Sequence, residues 1–238
     1  MNPTLRVLVS CRPEDSPDGN PGEQNDAVFE FAAWLSRTTD INIQVITTFI
    51  RPWPSSSISK LGGKYKKWFH NLDAKYESRT IKALKNAGVE KSHWDDNFSK
   101  FADGPSESVL LTHAAEGFNA DLILLGSDAT APKGRFLAGS TADALLHTSP
   151  FPLGLVPRGV KLSKKGVTRV NYAFTSDDGD AHEQGLMDAA EMASTWGLPL
   201  RILSFSPTGI DDSKKSGNLD LTSILSTEWR EHSLAMLD

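Results

Sequence analysis

Ala120-DLILLGSDATAPKGRFLAGSTADALLHTSPFPLGLVP-Arg158 reads in order as a strand, a glycine-bearing loop, a helix and a second strand. Leu122-Ile-Leu-Leu125 is a short continuous apolar run, introduced by Asp121 and closed by Gly126. That is the pattern of a strand covered on both faces, and it puts the chain among parallel α/β proteins. Gly139-Ser140-Thr141 precedes Ala142-Asp-Ala-Leu-Leu146, so Ser140 or Thr141 is expected to cap a helix that ends before Pro150. The first N–H groups of that helix, and the positive end of its dipole, would lie under the loop from Gly126 to Gly139. A phosphate is the kind of group such a place can hold.

Working outward, the same alternation of strand and helix continues in both directions. Leu5-Arg-Val-Leu-Val-Ser10 is an apolar first strand, followed by Arg12-PEDSPDGNPGEQ-Asn25, which is too rich in Pro, Gly and Asp to be helical before about Glu23. Ala27, Val28, Phe31, Trp34 and Leu35 then fall at helical spacing, and Ile41, Ile43, Val45 and Thr47 alternate before Phe49-Ile50. Arg51 to Gly63 reads as a breaker-rich connection. Leu72, Tyr76, Ile81, Leu84 and Ala87 mark a helix closed by Gly88. Ser92 to Phe101 is expected to be a third strand, with Asp103-Gly-Pro-Ser106 capping the next helix, whose apolar stripe is Val109, Leu110, His113, Ala114 and Phe118. The expected fold class is therefore α/β, a doubly wound five-stranded parallel sheet ending at Val156.

Beyond it the chain repeats itself. Lys161-LSKK-Gly166 is a basic linker, Arg169-Val-Asn-Tyr-Ala-Phe174 echoes Arg6 to Cys11, Gln184-GLMDAAEMAS-Thr195 echoes Ala27 to Arg37, and Leu200 to Ser204 echoes Asn42 to Ile46. Thr222 to Leu237 supplies one more helix. The expected layout is a first domain over 1–158, a linker over 159–166 and a partial second domain over 167–238. The chain is read as a truncated piece or a degenerate tandem.

Composition sets outer limits. The 238 residues are 39% apolar and 23% charged, as in ordinary globular proteins. Apolar runs stay under ten residues and Met1-Asn-Pro-Thr4 has no basic start, so neither a membrane span nor a signal peptide is read, and the cytoplasm is the expected compartment. The single cysteine, Cys11, excludes an internal disulfide. A net charge of −5 gives no long-range attraction for nucleic acid. The six histidines, at 70, 93, 113, 147, 182 and 232, form no pair at ligand spacing, and Asp177-Asp-Gly-Asp180 lacks the remaining ligands of a calcium loop. No metal site is expected.

The glycine loop and its surroundings resemble the universal stress protein family, whose loop is written G-x2-G-x9-G-S/T. Gly126 and Gly139-Ser140 stand at the first and third glycine positions, and Ser149-Pro-Phe-Pro152 with the strand after it also matches. Ala129 replaces the middle glycine, and a Cβ there narrows the approach to a nucleotide. The resemblance implies an adenine-nucleotide alpha hydrolase-like fold with its ligand between the first and fourth strands. Adenine would sit at the ends of the first two strands, near Cys11 and Phe49, ribose on an aspartate at the first strand's tip, and phosphates on the glycine loop. Arg12 holds that aspartate's place and cannot accept the ribose hydroxyl bonds.

Two functional readings follow. In the first the chain is a non-catalytic or weakly catalytic stress-response regulator binding ATP, AMP or another anion. Cys11, Arg12, Phe49, Gly126, Ser127, Ala129, Lys133, Gly134, Arg135, Gly139, Ser140 and Thr141 would form the site, without metal beyond nucleotide-associated magnesium. Lys133, Arg135 and Arg12 would supply positive charge, and Gly134 would relieve the crowding at Ala129. In the second the chain is a ligand-free interaction scaffold. The resemblance implies association through the last strand, Phe151-Pro-Leu-Gly-Leu-Val156, as a homodimer or between tandem domains. No nucleophile, general base or metal pair supports turnover.

Overall fold

Leu5–Cys11 (β1), Ile41–Ile50 (β2), Trp94–Gly104 (β3), Leu122–Gly126 (β4) and Leu153–Val156 (β5) are joined side by side in the order β3-β2-β1-β4-β5, every pair parallel. The computed structural model describes residues 4–13, 21–52, 56–128, 130–174 and 180–204. The helices of this unit are Pro21–Ser36 (α1), Ser56–Leu61 (α2), Gly63–Ala87 (α3), Glu107–Phe118 (α4) and Ser140–Thr148 (α5), with a 3-10 turn at Lys91–His93. No helix among the described residues is long and apolar enough to cross a membrane.

Both faces of the sheet are covered, which is why its central strands need apolar residues at every position. On one face, Leu111, Ala115 and Phe118 of α4 and Ala142 and Leu145 of α5 pack with Leu8, Ile46, Ile123 and Leu125. Val7, Val9, Ile43, Val45 and Leu124 alternate with these along the strands and are buried as well. There α1 packs against β1, β4 and β5, and α3 packs against α1 and β3.

The alternation expected along β2 is overturned by this double cover: Gln44, Ile46 and Thr48 are as buried as Ile43, Val45 and Thr47. Gln44 has one end of its amide satisfied, its Nε2 donating to the Asn97 carbonyl at 3.0 Å, while its Oε1 is buried without a partner. The connection after Arg51 is also more ordered than its breakers suggested, since α2 occupies Ser56–Leu61 and α3 starts immediately beyond Gly62. Gly88 closes α3 as expected, in the left-handed region at φ 79°, with the Val89 N–H returning to the Leu84 carbonyl. β3 runs on through Asp103 and Gly104, so the start of α4 falls at Ser106 alone. Its hydroxyl meets Ser108 Oγ at 2.9 Å instead of capping the backbone.

The chain divides into units at Val167 and Thr168. In the second unit, Val170–Phe174 (β6), Asp180–Trp196 (α6) and Leu200–Ser204 (β7) repeat the order of β1, α1 and β2. Val170 pairs with Leu200 in a parallel ladder, as Leu5 pairs with Ile41. The expected helix over Thr222 to Leu237 lies outside the described residues.

Candidate functional site

The order β2-β1-β4 means that the chain leaves β1 and β4 toward opposite sides, and the divergence opens a crevice beyond their carboxyl ends. Ser10, Arg12, Leu125, Gly126 and Ser127 line it from the strand ends, Val28 from α1, Glu107 from α4, and Thr141 and Ala142 from α5. Its room for water-sized occupants is about 20 Å³, enough for about one water molecule.

Glu107 dominates the crevice chemically, and the sequence reading did not single it out. It is the first residue of α4, and its side chain is 14% exposed. Thr48 Oγ1 donates to its Oε1 at 3.1 Å, Thr141 Oγ1 donates to its Oε2 at 2.5 Å, and Arg12 Nε stands 4.0 Å from Oε1. A carboxylate in the first turn of a helix is favoured by the helix dipole, and two hydroxyl donors plus a guanidinium stabilise its charge.

Asp128 is the second acidic group. A Cβ placed on Gly139 would lie 3.3 Å from Arg12 Nη2 and 3.7 Å from Asp128 Oδ2, so guanidinium, carboxylate and the start of α5 share one corner. The Thr130 N–H and hydroxyl donate to Asp128 Oδ1 at 2.9 and 2.7 Å. Those two bonds, the backbone one foremost and with the Arg12 charge adding to them, hold its carboxyl below the usual range against the opposing effect of burial.

The expected site residues divide into three groups. Arg12, Gly126, Ser127 and Thr141 line the crevice, with Gly139 at the Arg12–Asp128 corner. Ser127 turns inward to fold its own loop: its Oγ accepts the Leu137 N–H at 2.8 Å, while the Asp128 N–H donates to the Leu137 carbonyl at 3.0 Å. Cys11 is half-buried, its thiol 3.7 Å from the Arg12 carbonyl.

Lys133, Gly134 and Arg135 do not line the crevice. They form an exposed turn in which Gly134, at φ 74°, donates its N–H to the Arg158 carbonyl at 2.7 Å, and the Arg158 N–H donates to Arg135 O at 3.1 Å. The turn is thereby tied to the segment after β5. Phe49 belongs to an aromatic cluster on α3, edge-on to Trp68 at 5.5 Å. Ala129 lies outside the described residues.

Neither Ser140 nor Thr141 caps α5. Gly139 is the cap residue, in extended conformation and without a side-chain bond, and both hydroxyl residues are already helical. Thr141 has its hydroxyl committed to Glu107. Among the described residues no group of three or more His, Cys, Asp or Glu side chains is arranged to hold a metal ion.

The family model of the universal stress proteins matches residues 18–157, more than half of the chain. The chain belongs to the universal stress protein family. Universal stress proteins of Mycobacterium tuberculosis and Mycobacterium bovis are each 26% identical to it over 191 residues, 79% of this chain and 62% of the relative. The chain thus spans less than two thirds of the length of these relatives. Among solved structures, a universal stress protein from Archaeoglobus fulgidus matches at 16% identity and a TM-score of 0.44, over 83% of this chain and 77% of that one. A putative universal stress protein from Pseudomonas aeruginosa matches at 13% identity and 0.46, over 98% of this chain and 69% of its own.

Proposed function

We propose that this universal stress protein acts as an interaction module without turnover, whose crevice is filled by its own charges instead of a nucleotide. The observation that carries this reading is that the guanidinium lining the crevice already faces a carboxylate that lines it too: Arg12 Nε stands 4.0 Å from Glu107 Oε1, so the two charges cancel, and Asp128 lies near the same corner at Gly139. A triphosphate or monophosphate entering there would meet the Glu107 carboxylate, which repels it.

The surface offered to a partner in this reading is β5. It is the terminal strand of the sheet, and Leu153, Gly154 and Leu155 are only half-buried. A parallel edge of this kind needs cover, and a second copy of the chain pairing through 151–156 is the proposed occupant.

The test combines a thermal-shift titration with sedimentation equilibrium on the wild-type chain. ATP, AMP and inorganic diphosphate are each expected to leave the unfolding midpoint unmoved, and the sedimenting mass to rise toward that of a dimer with concentration. A ligand at one hundred times its dissociation constant would add about 2.7 kcal/mol, so a raised midpoint with ATP or AMP would replace this reading with a nucleotide-binding one.

A further inference from the structure

We infer that Glu107 is a built-in counter-anion. It occupies the seat that the crevice would otherwise offer to a phosphate group and so determines that the crevice selects against anions. The inference rests on the proposed function above.

Three elements converge on this one carboxylate. Thr48 brings a hydroxyl from the end of β2, Thr141 brings one from the first turn of α5, and Arg12 brings a guanidinium from the segment after β1. Those are the kinds of donor that hold a phosphate oxygen: a hydroxyl at a helix start, a second hydroxyl and a guanidinium fork. The α5 terminus adds to this, because Gly139 supplies no side-chain oxygen and the first N–H groups of a helix have no acceptor within it. A negative group beside that terminus is favoured, and the chain supplies its own.

Asp128 does not play the same part. It is occupied by two bonds from Thr130, two residues on, and is fixed by its own turn. Removing the charge of Glu107 alone leaves Arg12 as the charged group lining the crevice.

A purely structural Glu107, stapling α4 to β2 and α5, predicts a different result, and two variants separate the two. Glu107→Gln keeps the shape and one acceptor oxygen and removes the charge. Glu107→Ala removes the group and empties the seat, and a folded Glu107→Ala is expected to bind diphosphate at least as tightly as Glu107→Gln. Inorganic diphosphate and ATP are titrated by calorimetry into wild type and both variants, with circular dichroism confirming the fold. Diphosphate is expected to bind Glu107→Gln at least tenfold more tightly than wild type, and a further Arg12→Ala change is expected to abolish the gain. Should Glu107→Ala fail to fold, Glu107→Gln decides alone.

Equal diphosphate affinity in wild type and a folded Glu107→Gln would overturn the inference while leaving the interaction reading intact. ATP binding by wild type that tightens at least tenfold in Glu107→Gln would instead overturn the interaction reading and keep the role of Glu107.

Discussion

Asp103→Ala should be among the most damaging single changes in the first unit, although Asp103 sits near the end of a terminal strand. Its carboxylate lies 2.9 Å from Arg51 Nε, and the two side chains are 8% and 10% exposed. Tyr65 Oη donates to the same carboxylate at 2.7 Å. The pair closes one end of the aromatic cluster in which Tyr65, Trp68, Phe69 and Tyr76 of α3 meet Phe49 and Phe101. At an effective dielectric near 20, the attraction across 2.9 Å is about 6 kcal/mol before desolvation is subtracted. Truncating one partner leaves the other charge buried, which typically costs about 3–5 kcal/mol. For a domain of this size that is a fall in Tm of roughly 6–20 °C, read by thermal unfolding followed through tryptophan fluorescence. The double change Arg51→Met with Asp103→Leu removes both charges and should recover most of the loss. Tyr65 provides an independent readout. Burial first, and then its bond to Asp103, push the Tyr65 hydroxyl from 10.0 up to about 12. A raised folded-state pKa stabilises fully below the unfolded value and is lost as pH climbs through the folded one. The contribution should fade between about pH 10 and pH 12, and Asp103→Ala should move the late tyrosine absorbance step to lower pH. A loss under about 1 kcal/mol for Asp103→Ala, equal to that of the double change, would refute the claim that a buried charge pair ties the ends of β2 and β3 together.

Two further outcomes follow from packing and charge. Gly154→Val in β5 would put a Cβ 2.4 Å from Leu124 Cδ2 and should cost about 1–3 kcal/mol by overpacking. Gly117→Ala, inside α4 with open space around it, should add roughly 0.5–1 kcal/mol; urea midpoints moving in the same direction for both would contradict this contrast. Asp128→Asn should flatten the acid limb of stability. The lowered folded pKa of Asp128 gives a contribution present above its ordinary 3.8 and lost as pH falls through the folded value, so a wild-type and Asp128→Asn pair with parallel acid unfolding curves would rule it out.

The strands were legible because each signals its own burial. Leu122 to Leu125 is a continuous apolar run closed by Gly126, and Leu5 to Ser10 is mostly apolar. The family was legible from Gly126, Gly139 and Ser140 because their spacing lies within one loop of the chain. β2 was misread in detail because Ile41, Ile43, Val45 and Thr47 alternate by composition, while burial of Gln44 and Thr48 depends on helices that arrive from elsewhere in the chain. α2 was hidden among the serines, prolines and glycines of its surroundings.

The site was much less legible. Lys133 and Arg135 stand in the glycine loop by sequence, and backbone bonds between Gly134, Arg135 and Arg158 tie their turn to the segment after β5. Glu107 gave no signal beyond that of an acidic residue in a first turn. Its partners Thr48 and Thr141 are 59 and 34 residues away, and only the folding of β2, α4 and α5 brings them together. What the sequence by itself determined was the succession of elements and the existence of a glycine loop, since propensity, periodicity and turn chemistry act between neighbours. Which charges fill the crevice was decided by the tertiary structure, because an electrostatic environment is a sum over groups that the chain brings close only when the sheet is assembled.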